Sequence, residues 1–341
     1  MEAIIKNLIK NDKFKKYSEK IKKTKSPIIV SGLTDVGLIQ NIVALNKNNK
    51  KRICLITYNE IQARKIKKDL EQFNLKVGIF KKREIVAYDY KAESMDLPYE
   101  RIDILNKIYN KNLDIIITTI EALMQKMISK STLYKNIINL KIGDTIDIDD
   151  LKEKLVLMGY ERIDLIEGKG QFSIRGGIVD IAITNDNGIR LELWGDEIDS
   201  IRKFKILSQR SYKMEEEISI YPAHEFILEK NLDTVCNNIK KNVTNIEVKN
   251  NILNNVFEEG INEKVFNKEY FDKIFSGINE DLELIKSGDY ISKVDKYFNQ
   301  FYSKQSNFLD YIIDDFIITF EEIKKIEDRR KNIIRENNNL I

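Results

Sequence analysis

Apolar and polar residues alternate in Gln171-Phe-Ser-Ile-Arg-Gly-Gly-Ile-Val-Asp-Ile181, and a glycine pair interrupts the alternation. A period of two is typical of a β-strand that buries one face. It places Phe172 on one face and Arg175 on the other. The glycine pair permits a bulge or a turn with positive φ. The segment therefore indicates half-buried strands punctuated by glycines.

A second alternation follows in Ile189-Arg-Leu-Glu-Leu-Trp194. It directs Ile189 and its alternate neighbours to a core, and Arg190 and Trp194, the single tryptophan of the chain, to the opposite face. Tryptophan and arginine are concentrated in the hot spots of protein interfaces. The pattern predicts a protein-binding surface. The alternative is a tryptophan that covers a second small core or the neighbouring domain.

These strands belong to a region, 136–222, that we predict to be an inserted antiparallel α+β domain. A helix is predicted at 148–158. Strands are predicted at 161–166, 171–174, 177–183, 189–194, 199–207 and 218–221. The region ends at Pro222, where we expect a domain hinge. His224, two residues later, is expected to make a hinge hydrogen bond or, alternatively, to act as a pH switch.

On the amino-terminal side, residues 1–135 have the rhythm of an α/β domain. After an amphipathic helix at 1–23, strands are predicted at 27–30, 52–57, 75–80, 85–88 and 113–119, with helices at 36–45, 59–73 and 99–109. Such alternation predicts a parallel sheet covered on both faces. Residues 223–341 are mostly helical with one late strand. We interpret them as the returning part of the same domain, truncated at its end.

Gly32-Leu-Thr-Asp-Val-Gly37-Leu38-Ile39 has the glycine spacing of a phosphate-binding P-loop. A working P-loop continues with Lys, which reaches the phosphates, and Ser or Thr, which binds magnesium. Leu38 and Ile39 supply neither. One interpretation is an ordinary strand-to-helix turn. The other is a degenerate P-loop that keeps the shape without the chemistry.

The late strand ends in Glu321-Glu322, where a helicase would carry Asp-Glu to organise magnesium. Glu321 is longer by one methylene and would misplace the metal. The simpler interpretation is a strand that meets a charged helix. Together with the P-loop spacing, the predicted fold is a degenerate, split RecA/helicase-like α/β domain with an inserted antiparallel α+β domain.

Composition excludes several classes of function. The 57 basic residues nearly balance the 54 acidic ones, which argues against a protein that clamps nucleic acid over its whole surface. One histidine and two distant cysteines leave little material for a catalytic dyad, a zinc site or a disulfide framework. No apolar run is long enough to span a membrane. We expect a cytoplasmic protein without a metal site or catalytic residues.

The runs 170–181 and 189–202 resemble the UvrA-binding domain shared by UvrB and the transcription-repair coupling factors, and Ile220-Tyr-Pro-Ala-His-Glu-Phe226 is similar to the exit from that domain in the coupling factors. The resemblance covers essentially the whole chain. Three departures from UvrB favour the coupling factors. They are Leu38-Ile39 at the P-loop, Glu321-Glu322 at the second motif, and a stretch, 90–114, that is too short for the DNA-gripping hairpin of UvrB.

The resemblance implies an amino-terminal adaptor that recruits UvrA to RNA polymerase stalled at DNA lesions. By motif position, Arg175, Arg190 and Trp194 are expected to contact UvrA. In full-length members, RNA polymerase and duplex DNA are bound by domains absent from this chain, and ATP and magnesium serve a downstream translocase. This chain is therefore expected to bind no cofactor.

Two other functions stay open at this stage. One is a UvrB-like, ATP-dependent damage-verification helicase subunit. The other is a stand-alone DNA-binding module, for which the Lys-rich stretch 10–25 provides positive charge.

Overall fold

The computed structural model describes residues 2–24, 26–83, 95–227, 232–257, 268–287, 297–302 and 304–338. The predicted strand at 85–88 lies outside them. Contacts divide the chain into two compact units. The first contains the described residues of Met1–Glu84, Met95–Lys130 and Ser306–Ile341. The second contains those of Ser131–Gln305.

The helices are, in chain order, α1 (Glu2–Lys10), α2 (Asp12–Lys23), α3 (Asp35–Asn49), α4 (Glu60–Glu71), α5 (Asp96–Tyr109), α6 (Ile120–Met124), α7 (Lys130–Lys135), α8 (Ile148–Leu157), α9 (Leu232–Phe257), α10 (Lys268–Ser287), α11 (Phe298–Phe301), α12 (Phe308–Ile312) and α13 (Ile323–Asn338). The strands are β1 (Arg52–Thr57), β2 (Val77–Phe80), β3 (Ile115–Thr119), β4 (Met127–Ile128), β5 (Ile138–Lys141), β6 (Glu161–Arg162), β7 (Gln171–Arg175), β8 (Ile178–Ala182), β9 (Asn187–Trp194), β10 (Glu197–Lys205), β11 (Ser211–Glu215), β12 (Glu217–Ile220), β13 (Gln305–Ser306) and β14 (Phe316–Phe320).

The first unit is built on a four-stranded parallel sheet in the order β14-β1-β3-β2. Central strand β1 carries a continuous buried apolar run, as expected for a parallel strand covered on both faces. Ile53 of β1 pairs with Ile115 on one side and Ile317 on the other. Because β14 follows the second unit in sequence, the predicted split α/β fold with an inserted domain is confirmed.

The predicted strand at 27–30 is wrong. These residues form no strand in the structure, and the side chain of Ile29 is 84% exposed. Within the described residues, the parallel sheet consists of β14, β1, β3 and β2, and all four strands follow residue 30 in the chain. Pro27 also lacks the backbone N–H that a strand donates to its neighbour. The helix predicted at 1–23 is also two helices, because Asn11 caps a new one by accepting hydrogen bonds from the N–H groups of Lys13 and Phe14.

The second unit contains a six-stranded sheet in the order β11-β10-β9-β8-β7-β6, antiparallel except for the short β6–β7 pair. Gly176, with φ +59°, turns the chain from β7 into β8. At Gly177 a Cβ would lie 2.8 Å from the carbonyl oxygen of Leu193, so this close approach of β8 to β9 requires glycine. Strands β5 and β12 pair separately. Neither β5 nor β11 was predicted.

Helices α9 and α10 group with the second unit. Two ion pairs join them, Lys240 to Glu283 at 3.2 Å and Lys286 to Asp233 at 3.0 Å. We expected the first domain to resume at residue 223, whereas the contact-defined first unit resumes at Ser306. After residue 222 the sequence pattern indicates helices. A helical pattern does not show which unit a helix packs against. Within the described ranges, no helix is both long and apolar enough to cross a membrane.

Candidate protein-interaction surface

The six-stranded sheet has a buried face and a more exposed face. Cross-strand register places the fully buried apolar residues together on one side, namely Phe172, Val179, Ile181, Ile189, Leu191, Ile198 and Ile201. We call the opposite side the outer face. It carries Ser173, Arg175, Ile178, Asp180, Arg190, Glu192, Trp194, Ser200 and Arg202. The three residues expected to contact UvrA therefore lie on one face of one sheet.

Trp194 ends β9, and its side chain is 85% exposed. Gly195, with φ +62°, begins the turn into β10 directly after it. The alternative that Trp194 covers a second small core is wrong. That core exists toward the other end of the outer face, where Phe204 packs with Ala182 and two isoleucines. The indole is therefore presented to solvent, as the alternation predicted.

Arg175 and Arg190 share one buried carboxylate, that of Asp180. Arg190 donates from Nε to Oδ1 at 2.7 Å and from Nη2 to Oδ2 at 2.9 Å. Arg175 donates from Nη2 to the same Oδ2 at 2.7 Å. The hydrogen bonds to Asp180 raise the pKa of the Arg190 guanidinium, which is therefore held as a cation on the face.

The two arginines differ in exposure. Half of the Arg175 side chain is exposed, against 18% for Arg190. Arg190 also lies over the ring of Phe204, 4.9 Å from its centroid. Sequence alternation placed both on the outer face but did not distinguish an accessible guanidinium from a covered one.

A second carboxylate, Glu192, binds two side chains of the neighbouring strand β10. Its Oε2 accepts from the hydroxyl of Ser200 at 2.7 Å and pairs with Arg202 at 2.8 Å. Asp180 and Glu192 thus alternate with the arginines across the face, leaving only a small excess of positive charge. Ile178, which is exposed, lies between Arg175 and Glu192 in the register.

The alternation within 189–194 also predicts Glu192 on this face, as observed, but sequence reasoning missed Asp180 and Ile178 as members of it. A signal was present, since the turn at Gly176 and Gly177 sets the register of β8. That register places Asp180 opposite both Ser173 and Arg190.

Two residues of the predicted degenerate P-loop, Leu38 and Ile39, contribute to the first unit's core. Gly32 has φ +77°, but α3 already begins at Asp35, so Gly37 lies in its first turn. The Gly37 N–H donates to Oγ1 of Thr34 at 3.2 Å. Leu38 and Ile39, which replace the Lys and Ser/Thr of a P-loop, pack into the hydrophobic core. Neither Leu38 nor Ile39 supplies the charge or the magnesium ligand with which a P-loop holds a nucleoside triphosphate.

The degenerate second motif is tied into the same sheet. Glu321 is buried, and its carboxylate accepts from the hydroxyl of Thr57 at 2.7 Å and from Nε2 of Gln62 at 2.6 Å. Glu322 has φ +54° and is exposed. Both oxygens of Glu321 are thus engaged by the protein itself, an arrangement that suits a structural role better than a magnesium ligand.

His224 makes the hydrogen bond expected at the domain exit. Its Nδ1 accepts from the N–H of Phe226 at 3.1 Å. The ring is buried against Gly159, where a Cβ would lie 1.8 Å from Nε2. Burial lowers the pKa of His224 to about 4, although Glu225 acts in the opposite direction. The imidazole is therefore neutral near pH 7.

Residues 138–226, which contain the outer face, match the family model described as the UvrB interaction domain. The fold and this match thus define a class, namely an α/β scaffold whose inserted domain resembles the UvrB interaction domain.

The chain is similar over most of its length to proteins named transcription-repair-coupling factor. It is 27% identical to that of Bacillus subtilis over 90% of this chain and 25% of the relative. Identity is 28% to that of Staphylococcus haemolyticus, over 98% of this chain and 28% of the relative. A Staphylococcus aureus relative is 27% identical, with 92% and 26% covered. The resemblance to the coupling factors predicted from the motifs is confirmed. The chain spans about a quarter of the length of these relatives.

Proposed function

We propose that this chain is an adaptor module of a transcription-repair coupling factor, which recruits UvrA through the outer face of its UvrB interaction domain. In that role it would bring UvrA, and hence nucleotide excision repair, to RNA polymerase stalled at a DNA lesion. RNA polymerase and duplex DNA remain partners proposed for a full-length coupling factor, and a cytoplasmic location belongs to the same proposal.

One observation carries the proposal. The single tryptophan is 85% exposed on the same sheet face as a half-exposed arginine, within the region that matches the UvrB interaction domain. A large apolar side chain held in water is unfavourable unless a partner covers it. Tryptophan and arginine are also the residue types that anchor protein interfaces.

The helicase alternative has less support. At the positions where a nucleotide would be held, Leu38 and Ile39 belong to the core and the Glu321 carboxylate is engaged by Thr57 and Gln62. We therefore propose no catalytic activity and no nucleotide cofactor for this chain. The DNA-binding alternative rests on the lysines of α2, which form a solvated helix face.

The proposal is tested by competition for UvrA. Immobilised chain is incubated with purified UvrA, and purified UvrB is then added in increasing amounts. We expect the immobilised chain to retain UvrA. Because UvrB carries the same kind of domain, we expect added UvrB to compete for UvrA and release it from the chain. UvrA that passes over the chain without retention would contradict the proposal. Retention that excess UvrB does not reduce would place the contact on another surface.

A further inference from the structure

The carboxylate of Asp180 is the common attachment point of the two arginines on the outer face. It is almost completely buried, and three hydrogen bonds from guanidinium groups end on it. Oδ2 is shared, accepting from Arg190 at 2.9 Å and from Arg175 at 2.7 Å. A buried carboxylate compensated by two cations in fixed geometry is a rigid element.

The guanidinium of Arg190 is largely occupied by contacts within the chain. Arg190 holds both oxygens of Asp180, it approaches the carbonyl oxygen of Gln209 at 3.5 Å through Nη1, and its guanidinium covers Phe204. Little of it remains for a partner. Arg175 is bonded through Nη2, and the exposed half of its side chain lies toward solvent.

Sheet register brings Arg175 to the same end of the outer face as Trp194. Arg175 is opposite Ile178, and Ile178 is opposite Glu192. Trp194 follows two residues after Glu192 on the same side of β9. The accessible side chains at this end therefore include one guanidinium, one indole, the exposed Ile178 and part of Glu192.

We propose that Asp180 is the positioning residue of this surface. It fixes the Arg175 guanidinium on the outer face that also carries Trp194, with Arg190 as a support rather than a contact. This inference rests on the proposed recruitment of UvrA. The partner patch would be apolar and bordered by a carboxylate that accepts from Arg175. A long arginine side chain loses rotamer freedom on binding, and attachment to Asp180 removes part of that cost before the partner arrives.

A double-mutant cycle on the affinity for purified UvrA tests this role. The proteins are the unchanged chain, Asp180→Asn, Arg175→Ala and the double variant, each checked by thermal unfolding. Asparagine keeps the volume of Asp180 but loses the charge shared by the arginines. We expect Asp180→Asn to weaken binding about fivefold to tenfold in the unchanged background, and less than about twofold when Arg175 is already alanine.

A purely structural role predicts a different result, since a disturbed sheet lowers affinity equally in both backgrounds. Equal losses, or no loss with Asp180→Asn, would overturn the inference while leaving UvrA recruitment intact. If Asp180→Asn fails to fold, Arg175→Lys replaces it. Lysine keeps the charge but cannot bond to Asp180 and a partner as a planar fork does, so we expect a loss of about fivefold. Unchanged affinity of that variant would overturn the inference too. An unchanged chain that does not bind UvrA refutes the proposed function itself, and the inference with it.

Discussion

Glu321 accepts a hydrogen bond from the hydroxyl of Thr57 at 2.7 Å, which joins the carboxyl ends of two adjacent parallel strands 264 residues apart in sequence. The same carboxylate accepts from Gln62 on α4. At the position where the sequence predicts a degenerate helicase motif, this chain closes its sheet with internal hydrogen bonds.

We expect Glu321→Ala to destabilise the chain by about 1–3 kcal/mol, because it leaves the hydroxyl of Thr57 and the amide of Gln62 without their acceptor. Glu322→Ala is the matched control. Glu322 is exposed, and its contact to Lys325 at 3.7 Å is a surface ion pair, so we expect a change below about 0.5 kcal/mol. Urea denaturation measures both. Equal losses of unfolding free energy in the two variants would show that the buried hydrogen bonds of Glu321 add no measurable stability.

Gly159 and Gly143 have the same φ of +86° but different surroundings. A Cβ at Gly159 would collide with the His224 ring, whereas at Gly143 nothing lies within 4 Å. We expect Gly143→Ala to cost about 1 kcal/mol from backbone strain alone. We expect Gly159→Ala to cost roughly 3 kcal/mol or more, since strain and overpacking add. Chemical denaturation of both variants isolates the collision, and similar midpoints would contradict the described packing of His224.

Stability should depend on pH through His224. Its pKa is lowered to about 4 in the folded chain, below the ordinary value of 6.5. As the pH falls through 6.5, the unfolded chain takes up the proton first, so the free energy of unfolding decreases between pH 6.5 and 4. The full effect is roughly 3 kcal/mol at pH 4, and it vanishes above pH 6.5.

The matched variant for this prediction is His224→Asn, whose Oδ1 can still accept from the Phe226 N–H. We expect the difference in unfolding free energy between the two proteins to change by that amount from pH 7 to pH 4, because all carboxylates titrate alike in both. A difference independent of pH would show that His224 is not buried as a neutral ring.

The sequence correctly predicts those strands whose signal lies within their own residues. The bounds of β1 are those expected, because a buried apolar run lies between Lys51 and the polar Tyr58-Asn59. Residues 27–30 have similar composition but form no strand. A strand exists only where a neighbouring edge pairs with it, and four residues carry no information about that neighbour.

The surface shows the same limit. The exposure of Trp194 followed from alternation within one strand, which the β9 register preserves to its last residue. The role of Asp180 depends on three strands in register, so it could not be predicted from β8 alone. The burial of Arg190 depends further on Phe204, which reaches the face from β10.

The most direct test of UvrA recruitment compares Trp194→Ala with Leu207→Ala. Both side chains are exposed and apolar, but Leu207, which is fully exposed, lies in the turn after β10. Calorimetric titration with purified UvrA should give an affinity at least about tenfold weaker for Trp194→Ala. Leu207→Ala should stay within about twofold of the unchanged chain, and both variants should unfold at the same temperature as it does. A Trp194→Ala protein that binds UvrA as tightly as the unchanged chain would contradict the account.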